Sequence, residues 1–461
     1  MVELLSPAGS FSKLVTAFRY GADACYFAGK RFGLRAFADN FKEDELKKAV
    51  EYAHSLNKKC YITLNIFPHN ADFDGFEEYV KYLEEIKVDA VIVSDFGVIT
   101  LIKKYAPNLV IHISTQANIT NKYTAKAYCD MGAKRIILAR ELSLQEIKEI
   151  REYIPKDVEI ECFVHGAMCI SYSGRCLLSN YMCSRDSNRG ACVQACRFKY
   201  YVTEEQRPDD HYPVLEDERG TYIFNSKDLC MIGYIDKLIE AGVTSFKIEG
   251  RVKSENYVAT VTNAYRRVID YIQSDKFDKK MYEKITEEMI EELEKTTCRK
   301  FTTGFFLNET KRENLKTSLP TQKYNFIALV LGKNKDGYVE IEMRNRFEKG
   351  DVLQVLSPND TFNKDFVVTD ILLENGESVE VANLVQHHYK IKTDLPLVEG
   401  DILRKYIENP NSEIDWQKQK GVWNHTPFLF KCCLIIPQGL CLVYLQSKVF
   451  YFLEVRVQLF A

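Results

Sequence analysis

Over the first 250 residues the chain repeats one pattern: a short apolar run closes on a polar residue or glycine, and a charged stretch follows. Eight such runs recur: ELLSPAG from Glu3, ACYFAG from Ala24, KCYITLN from Lys59, AVIVSD from Ala90, VIHIST from Val110, RIILAR from Arg135, EIECFVHG from Glu159 and SFKIEG from Ser245. Between them, 42–56 and 142–153 place apolar residues three and four apart, the period of one helix face. Ser143 and Glu146 are spaced as a capping box. Eight strand-then-helix units predict an α/β fold, a closed (β/α)8 TIM-like barrel, in preference to an open doubly wound sheet. SPAGS after the first strand is not a Gly-rich phosphate loop.

Two more helices are expected, over 255–272 and near 285–295, and 296–307 reads as irregular chain closing over the barrel. From 323 the pattern changes to short strand-like runs: NFIALVLG, GYVEIEMRN, GDVLQVLSP, DFVVTDILL, ESVEVANLV and GDILRKY. With turn signals such as Lys335–Asp336–Gly337 between them, they predict a small antiparallel β-barrel. The chain thus divides into a barrel domain at 1–320, a small β-barrel domain at 321–408 and an atypical tail at 409–461. The tail opens polar, with Trp416 and Trp423, then turns apolar. Lys431, Pro437, Gln438, Gly439 and Lys448 interrupt it, and a membrane helix needs about 20 apolar residues. A frameshifted end is a competing account of the tail, and no membrane is expected.

Of 461 residues, 46% are hydrophobic and 28% charged, and the net charge is -3. The chain is not coated in positive charge, so a nucleic-acid partner would have to meet a local basic patch. The opening MVELLSPAGSF lacks a basic region and a long apolar run, so a cytoplasmic location without disulfides is expected.

That expectation changes the reading of the cysteines. Six of the 14 fall at 162, 169, 176, 183, 192 and 196, and Cys230 follows in NSKDLC. They begin at the end of the seventh strand, where barrel active sites lie, and occupy an insertion over 167–230. Gly166, Gly174 and Gly190 allow tight turns there. The stretch reads as a soft-metal site, an iron–sulfur cluster held by four thiolates. Structural zinc favours shorter knuckles, and only Cys192 and Cys196 come close. Inert buried thiols and a cysteine nucleophile with His165 as base remain alternatives.

Alternation along the strands points a second, polar set inward: Thr63, Asn65, Asp95, His112, Ser114, Gln116, Arg140, Glu161, His165, Lys247, Glu249 and Arg251. Lys247 with Glu161 reads as an internal ion pair. Arg140, Arg251 and His165 sit outermost and read as functional. Two arginines at a mouth suit a dianion or a phosphate. A third signal is Arg175, Arg185, Arg189, Arg197 and Lys199, opposed by Asp186 and interleaved with aromatics. Such a patch suits RNA, or else offsets the charge of a thiolate cluster.

ELLSPAGSFSKLVTAFRYGADACYFAG, ECFVHGAMCISYSGRCLLSNY, SNRGACVQACR, NSKDLC and SFKIEGRVKSENYV occur in order, and together they resemble the collagenase-like peptidase family. NRFEKGDVLQVLSP resembles that family's C-terminal domain. The likeness covers about 2–405 and does not extend to the apolar tail. The family name implies proteolysis, but its better-understood members imply RNA hydroxylation. The resemblance is strongest to the branch that makes 5-hydroxyuridine at the tRNA wobble position by a prephenate-dependent route. It implies a cluster, of the 4Fe-4S type, on Cys169, Cys176, Cys192 and Cys230, with Cys196 a spare thiol. It also implies tRNA and prephenate, or a similar dianion, as partners, and leaves room for a protein partner. Arg140 and Arg251 would hold the dianion or an RNA phosphate, with His165 and Glu249 as catalytic candidates. The rivals are a peptidase, for which Asp95, His112 and Ser114 are a conceivable triad, and a non-enzymatic RNA-binding protein. Neither H-E-x-x-H nor G-x-S-x-G occurs.

Overall fold

The computed structural model describes residues 2–33, 40–169, 171–197, 201–204, 207–213, 226–308 and 320–408, with backbone alone at 197, 201–204 and 207–213. The tail at 409–461 lies outside the described residues.

The eight apolar runs form eight parallel strands: β1 (Glu3–Pro7), β2 (Ala24–Phe27), β3 (Lys59–Leu64), β4 (Ala90–Val93), β5 (Ile111–Ile113), β6 (Arg135–Ile137), β7 (Glu159–Ala167) and β8 (Ser245–Ile248). They pair in chain order, and β8 pairs with both β7 and β1, which closes the barrel. Side chains on both faces of these strands are buried, as parallel sheets under helices require. Around the ring lie α1 (Phe11–Arg19), α2 (Glu43–Ser55), α3 (Phe76–Glu85), α4 (Phe96–Tyr105), α5 (Lys122–Asp130), α6 (Leu144–Tyr153), α7 (Ile235–Glu240) and α8 (Glu255–Ile272), followed by α9 (Lys279–Leu293). Ser10, Asp95, Asn121, Ser143, Ser254 and Asp278 each accept a first-turn backbone N–H, which fixes where six of these helices begin. The capping box of Ser143 and Glu146 forms. Asp278 starts α9 well before 285, the start that apolar spacing suggested.

The insertion does more than loop outward. It returns as a strand, Asp228–Cys230, that pairs antiparallel with the outer end of β7, placing Cys230 opposite His165. Phe301–Thr302, within the stretch expected to be irregular, adds to that strand in parallel. Leu229 is buried between them.

The C-terminal segment forms a curled antiparallel sheet of seven strands with its own apolar core, including Ile341, Val355 and Leu403. One of these strands, His388–Lys392, was not expected. Its apolar positions are only Tyr389 and Ile391, which point inward, while Lys390 and Lys392 are exposed. This sheet docks on the barrel through charge. Arg404, fully buried, donates to both carboxylate oxygens of Glu292 on α9 at 2.5 and 2.9 Å. Lys295 also reaches Glu292, at 2.9 Å. Burial raises the Glu292 carboxyl, but Arg404 and Lys295 overcome that and hold it below its ordinary value. Tyr20 and Arg19, at the end of α1, complete the contact by donating to the Leu356 carbonyl (2.8 Å) and to Asp401 (2.6 Å).

Removing one member of a buried pair leaves an uncompensated charge, a loss of roughly 3–5 kcal/mol. Arg404→Met is therefore expected to lower urea-unfolding stability by about that much, while Arg404→Met with Glu292→Met recovers most of it. A single variant within about 1 kcal/mol of the parent would mark the pair as no stronger than a solvated one.

Candidate active site at the barrel mouth

The barrel interior holds two polar tiers. In the lower one, the Arg135 side chain crosses the closure of the barrel. It donates to Glu3 (2.6 Å), Glu159 (2.6 Å), Glu161 (3.0 Å) and Ser245 Oγ (3.2 Å). Lys247 Nζ reaches Glu161 Oε1 at 2.7 Å, the ion pair expected from the strand register. Tyr61 donates to Glu3 at 2.6 Å. Arg135 was missed from the sequence, because as the first residue of an apolar run it reads as a strand edge. His112 packs against the Tyr61 ring, and burial, then Arg135 and Lys247, holds its imidazole neutral.

The upper tier carries the candidate chemistry. Arg140 is buried, donates to the Ala167 carbonyl and to Ser173 Oγ, both at 3.0 Å, and lies within hydrogen-bonding reach of Cys169. Burial would lower its pKa, but Cys169, Glu141 and Glu249 raise it, so the guanidinium stays charged. Its Nε has no partner among the described residues, nor do Oδ1 of Asn65 and Oε1 of Gln116. Arg251, also buried, donates to Thr63 Oγ1 at 3.1 Å. Both arginines thus sit at the mouth, as expected, and Glu249 is half-buried beside them.

The insertion lies across this mouth. Asn188 accepts from the Phe67 backbone N–H (3.2 Å), and Arg189 grips Asp72 with two bonds of 2.6 and 2.8 Å. Those bonds, with the His69 backbone, hold the Asp72 carboxyl at about 2. At Gly174 (φ +73) a Cβ would stand 2.8 Å from the Phe67 ring and 2.9 Å from Gln116 Oε1, so only glycine lets the chain pass this close.

Three expectations change. His165 does not face the mouth. Lys247 pairs with Phe163 and Ile248 with His165, so Val164 is an extra residue on β7. That bulge reverses the alternation and turns His165 toward α8. Tyr257, Tyr265 and Phe301 enclose the ring, and its Nδ1 is 3.5 Å from the Tyr265 hydroxyl. Burial pushes its pKa down to about 4. Asp95, His112 and Ser114 do not compose a triad: Asp95 caps α4, Ser114 Oγ accepts from Asn65 (3.0 Å), and His112 lies in the lower tier. The basic patch is also smaller than its composition suggests. Arg189 is paired with Asp72, and Arg185 donates to the Ala191 carbonyl at 3.0 Å. Arg175 is exposed, near the exposed Tyr172. Lys199 and the Arg197 side chain lie outside what is described.

The cysteines are a donor set of the right chemistry that is not gathered here. Cys230 is buried, with its thiol 3.9 Å from the Tyr265 hydroxyl and burial pushing its pKa up to about 11. Cys169 and Cys192 are exposed and Cys176 half-buried. Among the described residues no three His, Cys, Asp or Glu side chains stand together as metal ligands. In this conformation the four thiols are not brought together.

The structure is thus a closed parallel barrel whose mouth carries buried arginines under a cysteine-rich insertion. Residues 9–316 match Peptidase family U32 and 322–404 match the Peptidase family U32 C-terminal domain; the chain belongs to this family. It is 40% identical over 408 residues to "tRNA hydroxylation protein P1" of Bacillus subtilis, covering 87% of this chain and 94% of the relative. It is 37% identical to "tRNA hydroxylation protein P" of Escherichia coli, covering 82% and 91%. It is 32% identical to the "23S rRNA 5-hydroxycytidine C2501 synthase" of Escherichia coli, covering 90% of this chain and 60% of that protein. Among the described residues no helix is long and apolar enough to cross a membrane.

The neutral His165 has a measurable consequence. Its pKa of about 4 lies below the ordinary 6.5, so between those values the unfolded chain binds the proton that the folded chain excludes. Stability is full above pH 6.5 and falls as pH drops toward 4, by up to about 3 kcal/mol. Urea unfolding of wild type and His165→Gln across this window is expected to converge at low pH. Parallel curves would place His165 in water.

Proposed function

We propose that this protein hydroxylates RNA, and that its reaction converts the wobble uridine of tRNA to 5-hydroxyuridine with prephenate as co-substrate. The observation that carries the reading is the likeness, at 37% and 40% identity over nearly the whole length of each relative, to two proteins named for tRNA hydroxylation. A third relative is named for making 5-hydroxycytidine in ribosomal RNA. Uridine and cytidine differ at C4, so the proposed product carries its hydroxyl on the same ring carbon.

The mouth supports the chemistry. Two buried, charged guanidiniums can each hold a carboxylate by two bonds, which suits a dianion such as prephenate or, alternatively, a phosphate of the RNA. Arg140 and Arg251 are the binding groups of this reading. Glu249, within the field of Arg140, replaces His165 as the candidate to accept a proton. Arg175 with Tyr172 remains as an RNA contact on the insertion.

Nucleoside mass spectrometry of tRNA from a deletion strain, bare and complemented, tests the reading. The 5-hydroxyuridine family of nucleosides is expected to vanish and to return with the wild-type gene; its persistence in the bare deletion rejects the reading. Lysine lacks the planar fork of arginine, so Arg251→Lys is expected to keep the fold and lower modification on the order of tenfold, about 1.4 kcal/mol of lost contact.

The reading also includes an iron–sulfur cluster on Cys169, Cys176, Cys192 and Cys230, which the insertion would have to gather. Such a cluster, when bound, supplies electron transfer or an iron that polarises a ligand. Anaerobically purified protein is expected to contain iron and sulfide and to lose both in Cys169→Ala or Cys230→Ala but not in Cys60→Ala. Stoichiometric zinc without iron would exclude the cluster.

A further inference from the structure

Beside the insertion a cleft of about 860 Å3 opens over the loops that follow β1, β2 and β3. Its walls carry Lys30, Arg31, Lys42 and Arg189 against Glu45 and Asp72. Asp72 is paired with Arg189, whereas among the described residues Glu45 accepts only from the Lys42 backbone N–H, at 2.8 Å, and keeps its charge, so three cations face one unpaired carboxylate. Arg31 donates to the backbone carbonyls of Asp74 and Gly75, dipoles that do not cancel its charge. Among the described residues no carboxylate pairs with the ammonium of Lys30 or Lys42, and both side chains are exposed. Among the described residues the cleft therefore carries more cations than carboxylates, in a chain whose net charge is -3. Phe11, the first residue of α1, lines the same cleft at 40% exposure and otherwise packs against Tyr52 with ring centroids 5.6 Å apart.

This composition differs from that of the mouth. There the guanidiniums are buried and hydrogen-bonded, as a small dianion requires. Here the cations are spread out and wet, and water and salt screen each one against a lone small anion. A strand of linked phosphates overcomes that screening, because each contact releases a counterion and the contacts add. An exposed ring among such cations takes the face of an unstacked base regardless of its identity.

We propose that the cleft binds single-stranded RNA next to the nucleotide being modified, with phosphates on Lys30, Arg31 and Lys42 and a base on Phe11. This rests on the reading of the protein as an RNA-modifying enzyme. It adds a sequence-independent contact in the cleft that the Arg189–Asp72 pair lines.

The test is fluorescence anisotropy of the full chain with an anticodon stem-loop RNA, titrated across salt concentrations. Lys30→Gln with Lys42→Gln is expected to weaken binding and to lower the slope of log affinity against log salt by about 1.4, at about 0.7 for each single-strand phosphate contact. Phe11→Leu keeps an apolar side chain against Tyr52 but removes the ring face. It is expected to weaken binding roughly fivefold or more with the slope unchanged. Circular dichroism checks that the variants fold; the lysines are exposed, so no loss of fold is expected. Wild-type binding with unchanged affinity and slope in the double lysine variant overturns the cleft and leaves the RNA reading standing. Unchanged affinity in Phe11→Leu overturns the stacked base. No binding of the stem-loop by the wild type overturns the cleft and counts against the RNA reading as well.

Discussion

Glu161 on β7 lies between Arg135 on β6 and Lys247 on β8, and Arg135 carries the connection on to Glu3 on β1. These four strands include the seam where the barrel closes. Several charges in so buried a place require nearly complete pairing, since a lone buried ion costs far more than an apolar side chain in the same position. Glu3 takes Arg135 and Tyr61, and Glu161 takes Arg135 and Lys247. That mutual pairing links β6, β7, β8 and β1 across the place where the barrel closes. Everything at the mouth inherits its position from this floor.

The buried arginines differ in their partners. Arg140 donates to neutral oxygens, the Ala167 carbonyl and Ser173, and Arg251 donates to the Thr63 hydroxyl. Arg135 and Arg404 donate to carboxylates and are neutralised. The same residue type therefore meets different partners in one chain, and burial does not distinguish them, since all four are buried. Arg189, clamped on Asp72, also meets a carboxylate: it ties the insertion to the loop after β3.

Peptidase family U32 takes its name from proteolysis, whereas several of this chain's relatives are named for RNA hydroxylation. Asp95, His112 and Ser114 do not assemble the triad that the first chemistry would use. A triad needs a serine, a histidine and a carboxylate in mutual contact, and here the three candidates are engaged elsewhere.

The sequence by itself determined the barrel. Its eight apolar runs leave parallel strands no exposed face, and their spacing leaves room for one helix between most pairs. It also determined the Lys247–Glu161 pair, because two residues on neighbouring strands shared one inward register. It could not place His165, because one extra residue at Val164 reverses the alternation, and a bulge is set by how β7 meets β8 rather than by local preference. Nor could it show that Arg135 was interior, that Arg189 would meet Asp72 from 117 positions away, or that His388–Lys392 would be a strand. Spacing grouped Cys169, Cys176, Cys192 and Cys230 as one donor set, yet whether four thiols meet depends on the path of the insertion. Periodicity is a property of neighbouring residues and survives in the sequence. A pairing between distant side chains exists only once the fold has brought them together.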